Sequence, residues 1–210
     1  MLSSAQLLSD RLRSVKDERV QHLVPKLLAS LDRAIRLCAR TLDFGQAQET
    51  PPKRKPFELA PLVAEVGDGL GLPRPNFIDW TLDVPPELKA DADRDQLFRV
   101  LSNLCRNAVQ ALNQEGAIEF RTRIERQFTI GQKRHRLVVR AEIEDSGPGI
   151  PEELREHIFY PMVTSKPNGT GLGLSIAQDI VAQHGGVIEC SSLPGRTIFR
   201  IYLPLENGYG

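Results

Sequence analysis

The sequence predicts an α+β chain in which an N-terminal helical hairpin precedes an α/β sandwich. Three observations carry that prediction. Two apolar seams with heptad-like steps occupy the first 42 residues, the proline-rich stretch "QAQETPPKRKP" follows them, and segments of period two and period 3.6 then alternate in mixed order.

Met1, Ala5, Leu8, Leu12 and Val15 step by four and three, as does a second seam through Val20, Val24, Leu27, Leu31, Ala34, Cys38 and Leu42, with the polar "KDER" between them. Pro25 fits a helix only in its first turn. The seams are narrow, so a hairpin over residues 1–48 is expected to pair with a second copy as a four-helix bundle, which predicts a homodimer. A linker is expected at 49–56, where three prolines and three basic residues lack periodicity within the wider 46–56 stretch. The second domain then runs from 57 to 210. Within it, "FELAPLVAEVGDGL" is helical in pattern, "NFIDWTLDV" alternates as a strand, and "DRDQLFRVLSNLCRNAVQAL" is a strong amphipathic helix with Leu97, Val100, Leu101, Leu104, Ala108 and Leu112 as its buried stripe. "AIEFRTRIERQF" and "RHRLVVRAEIED" form a hairpin around "TIGQKRH". A glycine-led helix and the strands "VIECSS" and "TIFRIYLP" close the chain. This order suits helices on one face of a largely antiparallel sheet.

Composition narrows the partners. Of 210 residues, 40% are hydrophobic, enough for a core, and 27 basic residues balance 27 acidic ones, so no global field draws the chain to nucleic acid or to a membrane surface. No apolar run approaches the ~20 residues that span a bilayer. Cys38, Cys105 and Cys190 lie far apart in apolar patterns, as reduced core thiols of a cytoplasmic protein do.

Four constellations carry chemistry. Asn103 and Asn107 stand one turn apart on the flank of the amphipathic helix, although asparagine is a mediocre helix former. They could be polar boundary residues, or an amide carbonyl could coordinate Mg²⁺ while phosphates supply the charge. "DSGPGI" ends a strand: Gly147 and Gly149 would let a flat ring lie against the backbone, and the Asp145 carboxylate could accept from an exocyclic amine. In "GTGLGL", Gly169, Gly171 and Gly173 lead into a helix, offering backbone N–H groups and a helix N-terminus to phosphate. The stretch is neither a Gly-Lys-Ser/Thr phosphate loop nor a dinucleotide fingerprint. "IFYPMVTSK" lies between the glycine sites; Phe159 and Met162 could be core and Lys166 could reach phosphate. His184, in the last turn before Gly185-Gly186, reads as structural.

In order and spacing, "NLCRNAVQAL", "DSGPGI", "IFYPMVTSK" and "GTGLGLSIAQDIVAQHGG" resemble the N, G1, F and G2 boxes of the histidine-kinase catalytic domain, within the wider family of gyrase, the heat-shock chaperone of that type and mismatch-repair ATPases. The resemblance covers about residues 57–205 and implies the Bergerat ATP-binding sandwich. It implies that Asn107 holds Mg²⁺, that Asn103 supports the triphosphate, that Asp145 binds adenine, and that residues from Lys166 to Gly173 form an ATP lid. Gln110, Gly147, Gly149, Ile150, Phe159, Lys166, Gly169, Thr170, Gly171, Leu172, Gly173 and Leu174 complete the implied nucleotide site. Gln110 replaces the basic residue of many relatives, and "PGRTIF" lacks their second glycine.

Hydrolytic members of that wider family carry a glutamate where this chain has Asn103. An amide is no general base at neutral pH, so the resemblance favours a kinase that keeps the γ-phosphoryl for an acceptor. The hairpin is similar to the dimerisation and phosphotransfer domain of the same kinases, but the acceptor-histidine box is missing. His22 is followed by Leu23, Val24 and Pro25 and is a poor candidate, so the acceptor is expected upstream of Met1. The implied function is the core of a two-component sensor histidine kinase, passing phosphoryl from ATP to histidine and on to an aspartate of a response-regulator receiver. The alternatives are a phosphotransfer or scaffold protein with a relic ATP domain, and a serine kinase of the same fold.

Overall fold

A computed structural model describes residues 51–73, 77–112, 115–166 and 169–205. The expected hairpin, its dimer seam, His22 and Cys38 lie outside the described residues, as does the first part of the linker.

The domain opens with a feature the sequence did not advertise. Strand β1 (Lys55–Glu58) pairs antiparallel with β3 (Lys89–Ala92), with Lys55 opposite Ala92 and Phe57 opposite Ala90. Four-residue strands leave too short a run for a period to show, and β1 begins inside the stretch that reads as linker. Helix α1 (Leu59–Gly69) follows at once, burying Leu59, Leu62, Val63, Val66 and Gly67 at steps of three, one, three and one. Gly67 allows a close helix-to-strand approach: a Cβ there would lie 2.9 Å from Trp80 Nε1.

The main sheet has five strands in the order β2-β4-β5-β7-β6: β2 (Ile78–Asp83), β4 (Gly116–Ile130), β5 (Lys133–Asp145), β6 (Val187–Leu193) and β7 (Arg196–Pro204). All neighbours are antiparallel except β2 and β4, which run parallel because β3 and helix α2 (Arg94–Ala111) intervene between them. The β4–β5 turn is only Gly131 and Gln132, with Gly131 at φ +59°, so both strands reach further than their alternating cores suggest.

Pairing register separates two faces. Phe120, Ile143 and Phe199 lie in one row, and Thr122, Ala141 and Ile201 in the next on the same face; all six are buried. The opposite face is a ladder of charge. Arg121 Nη2 reaches Glu144 at 2.6 Å, Arg196 Nε reaches the same carboxylate at 2.7 Å, and Arg200 Nε reaches Glu142 at 2.8 Å. An apolar face against helices and a charged face outward is the one-sided arrangement expected of this sandwich.

Candidate functional site

The site assembles at one end of the sheet from α2, the end of β5, and the loops on either side of α3 (Glu152–Arg155) and before α4 (Gly173–Gln183). Helix α2 is fixed first. Its N-cap, Asp93, has extended backbone and accepts from the N–H groups of Asp95 and Gln96 at 3.2 Å each. Leu97, Val100, Leu101, Leu104, Ala108 and Leu112 are buried as the spacing predicts, joined by Cys105. Burial pushes the Cys105 thiol up to about 12. Cys190 is only half-buried. With the stripe pinned, Asn103 and Asn107 are left half-buried on the flank. Asn103 Nδ2 donates to the carbonyl of Gly173 at 3.3 Å, tying the amide pair to the first residue of α4.

Asp145 is the last residue of β5 and only 3% exposed. Its Oδ1 accepts from the Gly147 N–H at 2.9 Å, and no other hydrogen bond reaches its carboxylate among the described residues. Burial raises its pKa above the ordinary carboxylate value; the Gly147 N–H and the Lys166 charge oppose that rise, and Glu144 adds to it. A carboxylate oxygen with no hydrogen bond among the described residues, on a largely buried side chain, is suited to accept from a ligand amine.

The glycines beside it are bare for a spatial reason. A Cβ on Gly147 would come within 2.7 Å of Asp145 Oδ1 and 3.1 Å of Ala111 Cβ, and one on Gly149, at φ +87°, within 2.8 Å of the Leu193 carbonyl oxygen. The loop is fastened to the β6–β7 turn: Gly195 N–H donates to the Gly147 carbonyl at 2.9 Å, and Ile150 N–H to Ser192 Oγ at 2.8 Å. Ser192 is a functional neighbour that sequence reasoning missed, since "SS" inside a strand pattern carries no signal for a loop anchor.

Phe159 belongs to the core wall, edge-on to Phe199 with ring centroids 6.5 Å apart. Lys166 comes to the site by a contact no sequence pattern shows: its Nζ donates to Gln110 Oε1 on α2 at 2.8 Å. Burial lowers the Lys166 pKa and the Asp145 charge opposes it, so the ammonium sits partly desolvated within reach of the Asp145 charge. Gly171, at φ +67°, accepts from Met162 N–H at 3.1 Å, and a Cβ there would overlap the Met162 backbone. Thr170, Gly173 and Leu174 are half-buried, Gly169 is exposed, and Leu172 is buried as the cap of α4. Pairwise contacts thus join Asn103 to Gly173, Gln110 to Lys166 and Asp145 to Gly147, and Lys166 lies near enough to Asp145 to feel its charge. Ile150 is tied to Ser192 and Phe159 to Phe199. His184 is buried, as its structural reading expects.

A one-sided sandwich with an amide-bearing helix, a buried strand-end carboxylate and a glycine-led loop over it defines an ATP-binding domain of Bergerat type. Residues 92–207 match the family described as "Histidine kinase-, DNA gyrase B-, and HSP90-like ATPase", and the chain belongs to that family. It is similar to the sensory histidine kinase/phosphatase NtrB of Escherichia coli O157:H7, at 38% identity over 206 residues, covering 97% of this chain and 57% of that protein. The Rhodobacter capsulatus NtrB is 37% identical over 183 residues, covering 82% of this chain and 49% of that protein. The chain therefore spans about half the length of these curated relatives. Among solved structures, the catalytic domain of histidine kinase ThkA superposes with a TM-score of 0.61 at 33% identity, covering 72% of this chain and 95% of that one. ThkA in complex with response regulator protein TrrA gives a TM-score of 0.67 at 26% identity, covering 95% of this chain and 56% of that one.

Proposed function

We propose that this chain is the catalytic core of a two-component sensor histidine kinase, binding Mg-ATP and passing its γ-phosphoryl to a histidine and then to a response-regulator aspartate. The observation that carries the reading is Asp145. It is a largely buried carboxylate with one oxygen held by Gly147 N–H and, among the described residues, no other hydrogen bond, beside glycines packed too closely against Asp145, Ala111 and Leu193 to carry a side chain. An adenine amine would donate to that oxygen, with the ring lying against Gly147.

The remaining roles follow from placement. Asn107 offers a neutral oxygen to Mg²⁺. Among the described residues no group of three or more His, Cys, Asp or Glu could hold a metal, so the cation would draw its other donors from phosphate and water. When bound, Mg²⁺ neutralises charge on the phosphate oxygens. Asn103 steadies the lid through Gly173, Lys166 brings a positive charge toward the phosphates, and the N–H groups from Gly169 to Leu174 complete the cradle. Asn103 cannot deprotonate water, which leaves the γ-phosphoryl for the acceptor. The acceptor would be a histidine on a helical hairpin of the kind expected over residues 1–48. The partners are a second copy of the chain through that hairpin and a receiver domain, in the cytoplasm. Among the described residues no helix is long and apolar enough to cross a membrane.

The test is Asn107→Ala. Mg-ATP affinity is expected to fall by at least about tenfold, with loss of acid-labile phosphate on a histidine-bearing hairpin supplied in trans. Unchanged Mg-dependent affinity would refute the assignment of the metal ligand.

A further inference from the structure

His184 and Asp93 join the C-terminal end of α4 to the N-cap of α2. The backbone N–H of Asp93 donates to His184 Nε2 at 2.9 Å, and because an amide can only donate, Nε2 must be the bare nitrogen. The ring proton is then on Nδ1, where it bonds the Ile180 carbonyl at 2.8 Å. This fixes a neutral, buried imidazole between the C-terminal end of α4 and the N-cap of α2. Further along, midway through α2 and at the first residue of α4, Asn103 bonds Gly173 at 3.3 Å.

The spans match. From Asp93 to Asn103 is ten residues of α2 and from Gly173 to His184 is eleven of α4, about 15 and about 16 Å along the two axes. Two stiff antiparallel helices tied at two points, the N-cap and middle of α2 against the end and start of α4, behave as one frame.

The entry segment of the domain grips one end of this frame. Lys53 N–H donates to Asp93 Oδ2 at 2.9 Å, while the other carboxylate oxygen caps α2. Arg54 spreads over three elements: Nε to the Asp91 carbonyl at 3.2 Å, Nη2 to Asp91 Oδ2 at 3.4 Å and to the Pro204 carbonyl at 3.3 Å, and Nη1 to the His184 carbonyl at 3.4 Å.

We infer that Arg54, Asp93 and His184 are positioning residues that couple the position of residues 53–54 to the nucleotide pocket, because a displacement at that end of the frame is carried along α2 and α4 to Asn103 and Gly173. The effect on nucleotide affinity rests on the pocket assignment above. The frame itself does not.

The experiment therefore has two readouts on the whole chain, amide hydrogen exchange and Mg-ATP titration, for Arg54→Ala, His184→Asn and His184→Gln. Glutamine can place an acceptor where Nε2 lies, whereas asparagine reaches only the Nδ1 position. Arg54→Ala and His184→Asn are expected to speed exchange at residues 171–175, more than within β4 and β5, and to weaken Mg-ATP by about three- to thirtyfold. His184→Gln is expected to restore most of both. Arg54 lies outside the apolar core, so its replacement leaves the core packing in place where a substitution at the buried histidine does not. The inference is overturned if Arg54→Ala leaves exchange at 171–175 at the parent rate. It is overturned equally if exchange rises uniformly across the domain, as a purely global destabilisation would cause. A parent chain that binds no Mg-ATP would defeat the pocket assignment alone, and exchange would still decide the coupling.

Discussion

Asp145→Asn separates nucleotide recognition from folding. In the parent, Asp145 Oδ1 is occupied by the Gly147 N–H and the second oxygen is available to a ligand amine. A hydrogen bond to a charged group contributes about 1.5–3 kcal/mol, or roughly 10- to 150-fold in affinity. In the asparagine variant the amide oxygen keeps the Gly147 bond, which turns the NH₂ toward the adenine amine, donor against donor. The loss should therefore reach at least the tenfold end of that range. Stability should move the other way. Burial raises the Asp145 pKa, so its ionisation subtracts from stability at neutral pH, and that deficit disappears as pH falls below the ordinary value of 3.8. A neutral amide removes the deficit, so the melting temperature of the variant should hold or rise while ATP affinity falls. The assay is calorimetric titration with Mg-ATP and Mg-ITP, beside thermal unfolding. Inosine carries a carbonyl where adenine carries the amine, so the variant should lose or invert the parent's preference for ATP. Parent ATP affinity should also fall more on acidification than the variant's, beginning above the ordinary Asp value of 3.8. An Asp145→Asn chain that binds ATP within about threefold of the parent would refute the assignment of this carboxylate to the base.

Other predictions test neighbouring features. Gly171→Ala forces a side chain into a φ of +67° and onto the Met162 backbone, whereas Gly195→Ala, at φ +84°, meets open space. Thermal unfolding should show a loss of about 1–2 kcal/mol for Gly195→Ala and a larger one, with weakened ATP binding, for Gly171→Ala. Cys105, fully buried with its thiol pushed up to about 12, should resist alkylation at pH 8 until the chain is unfolded, as peptide mass spectrometry would read. Glu144 is held below its ordinary value of 4.5 chiefly by Arg196, so it contributes stability that is present above that pH and lost as pH falls through its lowered folded value. Denaturant midpoints measured from pH 6 to 3 should therefore fall less steeply in Arg196→Ala.

What the sequence could show divides along a physical line. The stripe of α2 and the strands of the main sheet were legible because each is long enough to repeat its period against a core. The pairing of β1 with β3 was not, since Lys55–Glu58 and Lys89–Ala92 are too short for a period and are joined only by contacts distant in sequence. Among site residues, Asp145, Gly147 and Gly149 were legible because glycine beside a strand-end carboxylate marks a close approach. Three pairings were invisible: Lys166 with Gln110, Ile150 with Ser192, and Asp93 with His184. Each joins residues that no local pattern relates, and the first joins two residues singled out for separate reasons. The cap position alone marks His184 as structural, but only its two ring bonds show which elements it unites.

The parallel pairing of β2 with β4 has a consequence for how the domain comes together. The β4–β5 and β6–β7 hairpins close through turns of two residues and can form early and locally. Residues 78–83 can zip onto the rim of the sheet only after the crossover holding α2 has been laid down, so this margin depends on contacts distant in sequence. A ligand that clasps the crossover helix would thus also steady that border.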